Sequence, residues 1–441
     1  AWWNEGVQRI LFELRRSLAA PSRNPRMATV LGRLLGIAFM VCFLTGLYSH
    51  FLQDPLAWMT FPTRPLWLYQ VSQGLHITAG MVCFPLLLGK LYVVFPELFQ
   101  TPPVRGFVHF LERASIALFV SASLVEITIG LLNTFQLYAF FPFSFRSTHF
   151  ALSFVVIGSL AVHIAVKLPV ITNYWRARDS YDDSGEVVAL VGAHTLDVTG
   201  VPPASGERSS ASAGAASARA GRGITGRVFA WIDREPALST DAAEKRTGRR
   251  GFLATLGLAA AALVVFTGGQ SFRALDATNL FAPRKAGVGP NSLPVNRTAR
   301  AAKVTETAMA PDWTLTVVGE TTRVFTLDDL RALPQSEVVL PIACVEGWSQ
   351  YAAWTGPRMR DLADLVGASE DASFRATSLE QDSQYAVMDM GPEFVRDELT
   401  VVALQLDGEV LDIDHGFPAR MMAPARPGVL QTKWLSRLEV I

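Results

Sequence analysis

The sequence predicts a multi-domain membrane protein: a four-helix transmembrane bundle, a fifth transmembrane helix and an α+β, mainly β, C-terminal domain. Half of the 441 residues are hydrophobic and 18% are charged, which is too apolar for an ordinary soluble protein. Five apolar stretches have the length that a helix needs to cross a bilayer. The formal net charge is zero, so nothing indicates nucleic-acid binding, and membrane lipid is the expected environment.

The flanks of the predicted spans indicate their orientation. Basic residues are concentrated before the first span, between the second and third, and after the fourth, whereas the two other short loops hold only Arg64 and Arg146. The positive-inside rule therefore places the N-terminus in the cytoplasm. The chain begins at Ala1 rather than Met, so we expect further residues before it. The predicted spans are residues 31–52, 74–96, 112–137, 147–170 and 252–270.

A low-complexity segment rich in Ser, Ala and Gly follows the fourth span and predicts a disordered cytoplasmic linker. Arg249 and Arg250 then precede Phe-Leu and an Ala/Gly-rich apolar stretch, a pattern that resembles a twin-arginine export signal, with an ordinary single-pass anchor as the alternative. Either way the fifth helix leads outward. The predicted parts are a cytoplasmic segment 1–30, the bundle 31–175, the linker 176–248, the fifth helix 249–271 and an extracytoplasmic domain 272–441.

The last 140 residues change character from apolar spans to short elements. Alternating apolar and polar residues predict strands, and short helices are expected at Thr326–Ala332, which begins with an N-cap residue, and at Met359–Val366. Cys42 and Cys83 lie in apolar spans and Cys344 stands alone in the polar part. A disulfide framework is therefore not expected.

Histidines in the predicted spans are the first functional signal. His149 and His163 are fourteen residues apart, about 21 Å along a helix, and leave the same helix face. One ring therefore lies near each surface of a hydrocarbon core of about 30 Å. His76 begins an apolar stretch at the same outer depth as His149. Since imidazole is a good axial ligand for iron, this arrangement predicts two stacked b haems, although a single membrane histidine is often only a packing residue.

The depths of the rings suggest how the histidines pair. The outer haem is assigned to His76 and His149, and the inner haem to His163 with His109. His50 is an alternative outer ligand or a residue near a quinone site. Three small residues, Gly74, Gly80 and Gly158, are candidates for leaving room for the macrocycles.

Residues 30–175, with these histidines, resemble the four-helix cytochrome b subunits of bacterial respiratory oxidoreductases. The resemblance implies electron transfer between quinone or quinol and a partner enzyme in the inner (cell) membrane, with other respiratory subunits as further candidate partners. Such subunits often carry an inner-side histidine on their first helix, which this chain lacks. The second ligand of the inner haem therefore stays open.

Two motifs in the C-terminal part carry a second resemblance. Cys344 opens C-V-E-G-W-S-Q-Y-A-A-W-T-G, and D-H-G-F-P-A-R precedes a later T-K-W. Residues 310–441 resemble the sulfite-oxidase-type molybdopterin domains, and C-V-E-G-W-S is closer to the periplasmic methionine sulfoxide reductase branch. The resemblance implies that Cys344 is the catalytic thiolate ligand of molybdenum, a soft-ligand role. It also implies that the following residues bind the pterin, its phosphate or the pocket wall: Trp348, Trp354, His415, Gly416, Arg420 and Lys433.

Each of these residues also has a purely structural interpretation. A lone cysteine is usually a small buried hydrophobe, and His415 alone would pass for a turn residue. The order of the two motifs favours the cofactor interpretation. Sulfite oxidases have a basic segment directly after the cysteine, whereas Val345, Glu346 and Gly347 follow it here, which argues against sulfite. We also expect the domain to lack the dimerisation domain of sulfite oxidases.

These observations combine into a membrane-bound molybdoenzyme with a built-in cytochrome b. The preferred direction is quinol oxidation coupled to reduction of an S-oxide or N-oxide, and the reverse direction uses the same cofactors. One alternative is a non-catalytic electron-transfer or assembly subunit of a larger respiratory complex whose molybdenum-type domain has lost its cofactor. A third hypothesis is a haem-only transmembrane reductase with a sensory outer domain.

Overall fold

The computed structural model describes residue 10 and residues 22–99, 106–176 and 242–441. Most of the predicted cytoplasmic segment 1–30 and of the linker 176–248 lie outside these ranges, so both remain predictions.

Five long helices are long and apolar enough to cross a membrane. The first begins at Pro25, earlier than its apolar stretch, because proline suits the first helical position and the Asn24 side chain accepts a hydrogen bond from the Met27 amide at 2.9 Å. The fifth begins within the predicted linker, in a run of strong helix formers. The helices are α1 Pro25–Gln53, α2 Leu68–Val94, α3 Phe107–Thr134, α4 Phe145–Tyr174 and α5 Ala242–Thr267.

The chain divides into two compact units, and helices α1 to α5 each contribute residues to both. We name the units after the histidines predicted for each side of the membrane. The inner unit, with His109 and His163, comprises Ala1–Phe39, Val82–Ile127 and Ala151–Ala261. The outer unit, with His76 and His149, comprises Met40–Met81, Thr128–Phe150 and Ala262–Ile441. Parts of five long helices therefore belong to the same unit as the C-terminal domain.

The inner unit contains charged side chains among apolar ones. Lys90 donates a hydrogen bond to the Ala28 carbonyl at 2.5 Å, and Lys167 forms an ion pair with Glu112 at 2.5 Å. Charged groups in membrane helices are costly unless they are paired. Because Lys90 and Lys167 each have a partner, the helices can hold these charges among apolar side chains.

The C-terminal domain consists of short helices and three sheets. The largest sheet has the strand order β2-β1-β11-β5-β6, with β1 and β11 parallel, and the others are β3-β4-β8-β9 and β10-β7. The strands are β1 Thr314–Val318, β2 Thr322–Thr326, β3 Ser336–Ala343, β4 Ser349–Gly356, β5 Phe374–Ser378, β6 Val387–Met390, β7 Val401–Ala403, β8 Gln405–Leu406, β9 Glu409–Val410, β10 Arg420–Met422 and β11 Leu435–Val440. The short helices are α6 Thr305–Ala308, α7 Leu327–Ala332, α8 Met359–Leu365 and α9 Pro392–Val395.

The two predicted short helices are confirmed as α7 and α8. Thr326 is the N-cap of α7: its hydroxyl accepts from the Asp329 amide at 3.1 Å, and the Asp329 carboxylate accepts from the Thr326 amide at 2.9 Å. This reciprocal capping satisfies two amides that the helix itself leaves free.

The antiparallel pair β3–β4 positions the site. Its register runs from Ser336 opposite Gly356 to Ala343 opposite Ser349. The five residues between the strands, 344–348, form its hairpin loop, which we call the Cys344 loop. A buried apolar cluster that includes Leu340 lies beneath the hairpin.

Candidate functional site

Cys344 is held in a tight turn at the start of its loop. Its side chain is buried, with 1% exposure. Its amide donates to the Trp348 carbonyl at 2.9 Å, and the Gly347 amide donates to the Cys344 carbonyl at 3.0 Å. Gly347 has φ +100°, which only glycine adopts at little cost. A Cβ there would also lie 2.7 Å from Cγ1 of Ile77, so this turn requires glycine.

His415 lies buried, with 2% exposure, in the short turn that precedes β10. Its Nε2 faces the carbonyl oxygens of Pro290 at 2.8 Å and Leu293 at 3.1 Å. Because carbonyls only accept, Nε2 carries the proton and Nδ1 keeps the lone pair. Burial, with the charges of Arg420 and Lys433, lowers the pKa of His415 to about 4, so the ring is neutral near pH 7.

Arg420 and Lys433 are two buried cations beside this turn. Arg420 donates to the carbonyls of His415 at 2.9 Å and Gln431 at 3.4 Å, and its guanidinium lies 4.9 Å from the Trp354 ring centre. Burial lowers the pKa of Arg420 to about 9. Burial, together with Arg420, lowers the pKa of Lys433 to about 7.

Both cations bind backbone carbonyls rather than carboxylates in the described part of the chain. Lys433 donates to the carbonyls of Arg297 and Asp414, each at 2.8 Å. Nε of Arg420 is buried and has no hydrogen-bond partner among the described residues. Burying a cation without an anion is costly, and the lowered pKa values reflect that cost. A bound anion would offset that cost.

Two glycines allow close packing around these residues: Gly416 lies against the two cations, and Gly428 lies against the backbone at Cys344. Gly416 has φ +109°, and a Cβ there would lie 3.0 Å from Cβ of Lys433 and 3.1 Å from Cβ of Arg420. A Cβ at Gly428 would lie 3.0 Å from the carbonyl oxygen of Ala343, directly before Cys344. The positive charge of Lys433 acts on the Cys344 thiol, although burial and Glu346 together raise the pKa of Cys344 well above its usual range.

The two predicted pocket tryptophans lie in the interior. Trp348 is 3% exposed at the end of the Cys344 loop, and Trp354 is fully buried in β4. The indole of Trp354 donates to the Leu340 carbonyl at 3.3 Å. The Trp354 ring therefore packs against the Arg420 guanidinium.

Residues near the long helices contact the Cys344 loop, and sequence analysis did not identify them. Gln73 of α2 donates to the Val345 carbonyl at 2.8 Å. The Tyr138 hydroxyl lies 3.4 Å from the Glu346 carboxylate, to which it donates. Ser271 donates to the Gly347 carbonyl. Gln73 lies one residue before the predicted span 74–96 but within helix α2, Leu68–Val94, so the predicted bounds left it out.

Glu346 is the buried acid of the loop, with 5% exposure. Burial raises the pKa of Glu346, while Gln136 and Arg284 act in the opposite direction. Burial, followed by the charge of Glu346, raises the pKa of Tyr138. A carboxyl group, rather than the basic segment of sulfite oxidases, therefore lies in the loop after Cys344.

His76 and His149 face each other in the outer unit. Their ring centres are 6.1 Å apart, and the ring planes are inclined at 80°. Nδ1 of His76 donates to the Cys42 carbonyl at 2.9 Å, which leaves Nε2 with the lone pair. A Cβ at Gly46 would lie 2.9 Å from Cε1 of His76, and one at Gly130 would lie 3.5 Å from Cε1 of His149.

The other candidate haem ligands have different surroundings. The ring of His163 stacks on Phe119 with centres 5.7 Å apart, and His50 stacks on Phe150 at 3.5 Å. His109 lies in the first turn of α3. The inner pairing of His163 with His109 stays a prediction.

Different glycines from those expected lie beside the rings. A Cβ at Gly74 would meet Phe272 at 2.6 Å, one at Gly80 would lie 3.9 Å from Cys42 Sγ, and one at Gly158 would meet nothing within 4 Å. Gly46 and Gly130 are the glycines next to His76 and His149. Helix rotation decides which glycine faces a ring, and the sequence alone did not fix that rotation.

Part of this chain is similar to known oxidoreductases. Residues 301–441 match the oxidoreductase molybdopterin binding domain family. Over 116 residues, 26% of this chain and 43% of the relative, the chain is 34% identical to the provisionally assigned protein-methionine-sulfoxide reductase subunit YedZ1 of Azospira oryzae. It is 29% identical over 130 residues to the uncharacterized oxidoreductase YuiH of Bacillus subtilis, covering 29% and 64% of the two chains. It is 26% identical over 161 residues to sulfite oxidase of Arabidopsis thaliana, covering 29% and 41%.

These matches confirm the coarser prediction that the C-terminal part is a molybdopterin domain of the sulfite-oxidase type. The chain spans less than two thirds of the length of each of these relatives. The residues present fit the cofactor. Arg420 and Lys433 offer buried N–H donors and positive charge to a phosphate, and Cys344 offers a thiol that becomes a thiolate when a metal binds.

Proposed function

We propose that this chain is a membrane-bound oxidoreductase that passes electrons from quinol, through b haems, to an extracytoplasmic molybdopterin centre that reduces an S-oxide or N-oxide. The observation that carries the proposal is the shared outer unit. The facing pair His76 and His149 lies in the same compact body as Cys344. The helix that carries His76 also contacts the Cys344 loop, through Gln73 and Ile77, and redox groups that exchange electrons need to lie near each other.

The distance between the His76 and His149 rings supports the proposal that these two residues ligate a haem. Each imidazole that ligates a metal uses one ring nitrogen, so His76 and His149 would hold a haem iron between their rings. The separation of His76 and His149 is 6.1 Å. The hydrogen bond from His76 to the Cys42 carbonyl orients its free nitrogen for ligation. A bound haem supplies one-electron transfer.

The residues of the outer site supply binding and orientation for the molybdenum cofactor. Cys344 ligates the metal, Arg420 and Lys433 bind the phosphate, and His415 hydrogen bonds as a neutral imidazole. Ligation by one thiolate needs no larger cluster, and among the described residues no three His, Cys, Asp or Glu side chains gather at one place. The bound cofactor supplies two-electron chemistry at sulfur or nitrogen.

The charge around Cys344 supports a neutral substrate. The residues directly after Cys344, which are Val345, Glu346 and Gly347, supply no positive charge for an anionic substrate such as sulfite. A neutral sulfoxide needs no such charge. The printed name of the Azospira oryzae relative, a methionine-sulfoxide reductase subunit, supports the S-oxide over the N-oxide.

Metal analysis combined with a single substitution tests this function. The purified protein should contain about one molybdenum atom per chain and show the reduced absorption band of b haem. Cys344→Ser removes the soft ligand, so sulfoxide reduction should fall to background while the haem spectrum stays unchanged. Haem without molybdenum would instead favour the electron-transfer or assembly subunit. Full turnover by Cys344→Ser would refute the assignment of the site.

A further inference from the structure

The helix that carries His76 is hydrogen bonded directly to the chain segment that carries Cys344. Gln73 lies three residues before His76 on α2, which is about 4.5 Å along the helix axis. Its Nε2 donates to the carbonyl of Val345, the residue after Cys344, at 2.8 Å. One hydrogen bond therefore joins the two segments that supply the proposed ligands.

The environment of Gln73 holds its amide in this orientation. The side chain is buried, with 5% exposure. The Tyr69 hydroxyl lies 3.5 Å from Oε1 of Gln73, to which it donates, and 3.1 Å from the Ser49 hydroxyl. Because Oε1 faces a donor, Nε2 is the group directed at Val345. A buried amide with both ends engaged is rigid and specific.

A second contact lies one turn further along the same helix. The side chain of Ile77 packs against Gly347, where an added Cβ would lie 2.7 Å from Cγ1 of Ile77. Gln73 and Ile77 are four residues apart and share one helix face. One face of α2 thus contacts the Cys344 loop at two points, and His76 lies between them in sequence.

We propose that Gln73 is a positioning residue that couples the outer histidine pair to the Cys344 loop, so that electrons pass from His76 to Cys344 through the helix turn, the Gln73 amide and Val345. This inference rests on the proposed function. Each sulfoxide reduced takes two electrons along this route, one at a time, and two protons from water. The products are one sulfide and one water molecule, and quinol supplies the electrons.

The test compares the full-length protein with Gln73→Met, which keeps the chain length and removes the donor. After anaerobic reduction, methionine sulfoxide is added and haem reoxidation is followed by stopped-flow absorbance. In Gln73→Met we expect a several-fold loss of the reoxidation rate, with wild-type haem and molybdenum contents and a wild-type haem potential. The electron paramagnetic resonance signal of the molybdenum should also shift, because the Cys344 loop loses a fixed contact.

Arg64→Met provides the matched control. Arg64 lies in the loop between α1 and α2 and forms a bidentate pair with Asp397 of the C-terminal domain, at 2.8 and 3.2 Å. Its loss removes a link between the same two parts of the chain without touching the Cys344 loop. We expect wild-type reoxidation in Arg64→Met.

Three results would overturn the inference. The first is a wild-type reoxidation rate and molybdenum signal in Gln73→Met, and the second is equal slowing in Arg64→Met.

If Gln73→Met binds too little cofactor to measure, the near-isosteric Gln73→Glu replaces it. Loss of molybdenum from both variants, with haem retained, would be the third result, because Gln73 would then act in site assembly. A wild-type protein that lacks either cofactor or is not reoxidised by sulfoxide would instead contradict the proposed function.

Discussion

His415 lies in the outer site as a buried neutral base. Nε2 of its ring donates to two carbonyls, so protonation must occur at Nδ1, close to Arg420 and Lys433. Burial and these two charges lower the pKa of His415 to about 4, against an ordinary value of about 6.5. The folded protein therefore binds this proton less readily than the unfolded chain.

This difference predicts how stability depends on pH in protein produced without the molybdenum cofactor. Above about pH 6.5, His415 is neutral in both states and contributes nothing. As the pH falls from 6.5 towards 4, the unfolded chain takes up the proton first, so the free energy of unfolding drops by at most about 3 kcal/mol. The change from pH 7.5 to 4.5 should be smaller in His415→Gln, as measured by thermal unfolding. Equal changes in both proteins would contradict the lowered pKa.

Some candidate site residues could be proposed from the sequence, and others could not, for a physical reason. Cys344, His415, Arg420 and Lys433 lie in two local motifs, and the fold brings these motifs together. Gln73 is more than 200 residues from the Cys344 loop that it contacts. Its partner depends on tertiary packing, which no local pattern encodes.

At the scale of elements, α1 contains two glycines in different environments. Gly46 lies against the His76 ring, where a Cβ would come within 2.9 Å of Cε1, whereas a Cβ at Gly36 would meet nothing within 4 Å. A side chain at position 46 must therefore displace the ring. A side chain at position 36 has open space.

These two positions give a matched pair of variants. Gly46→Val should lose most of the haem that His76 holds, because the ring cannot keep its orientation. Gly36→Val, on the same helix, should keep the wild-type haem content. The measurement is haem absorbance per purified protein. Equal haem in both variants would show that His76 does not hold a haem against α1.

The elements that could be predicted are those with local signals. The capping residue Thr326 marked α7, and apolar length marked the five long helices. The start of α5 at Ala242 was not predicted, because its first turns are polar and were attributed to the linker 176–248. Strand pairing, such as β1 beside β11, depends on contacts between distant segments.

At the scale of the whole molecule, the outer unit contains parts of five long helices together with the C-terminal domain. The loop between α1 and α2 belongs to this unit and exposes Trp58 by 75% and Trp67 by 50%. Exposed tryptophans are typical of a membrane–water interface. The proposal places this loop and the C-terminal domain on the extracytoplasmic side, with a cytoplasmic N-terminus.

The most direct test of the whole account is electron transfer through one chain. The purified protein, reconstituted in lipid and fully reduced with a quinol under anaerobic conditions, is mixed with methionine sulfoxide while haem absorbance is recorded. The account predicts that the b-haem band is reoxidised and that one sulfide forms for every two electrons lost. A haem that stays reduced in protein that contains molybdenum would contradict it.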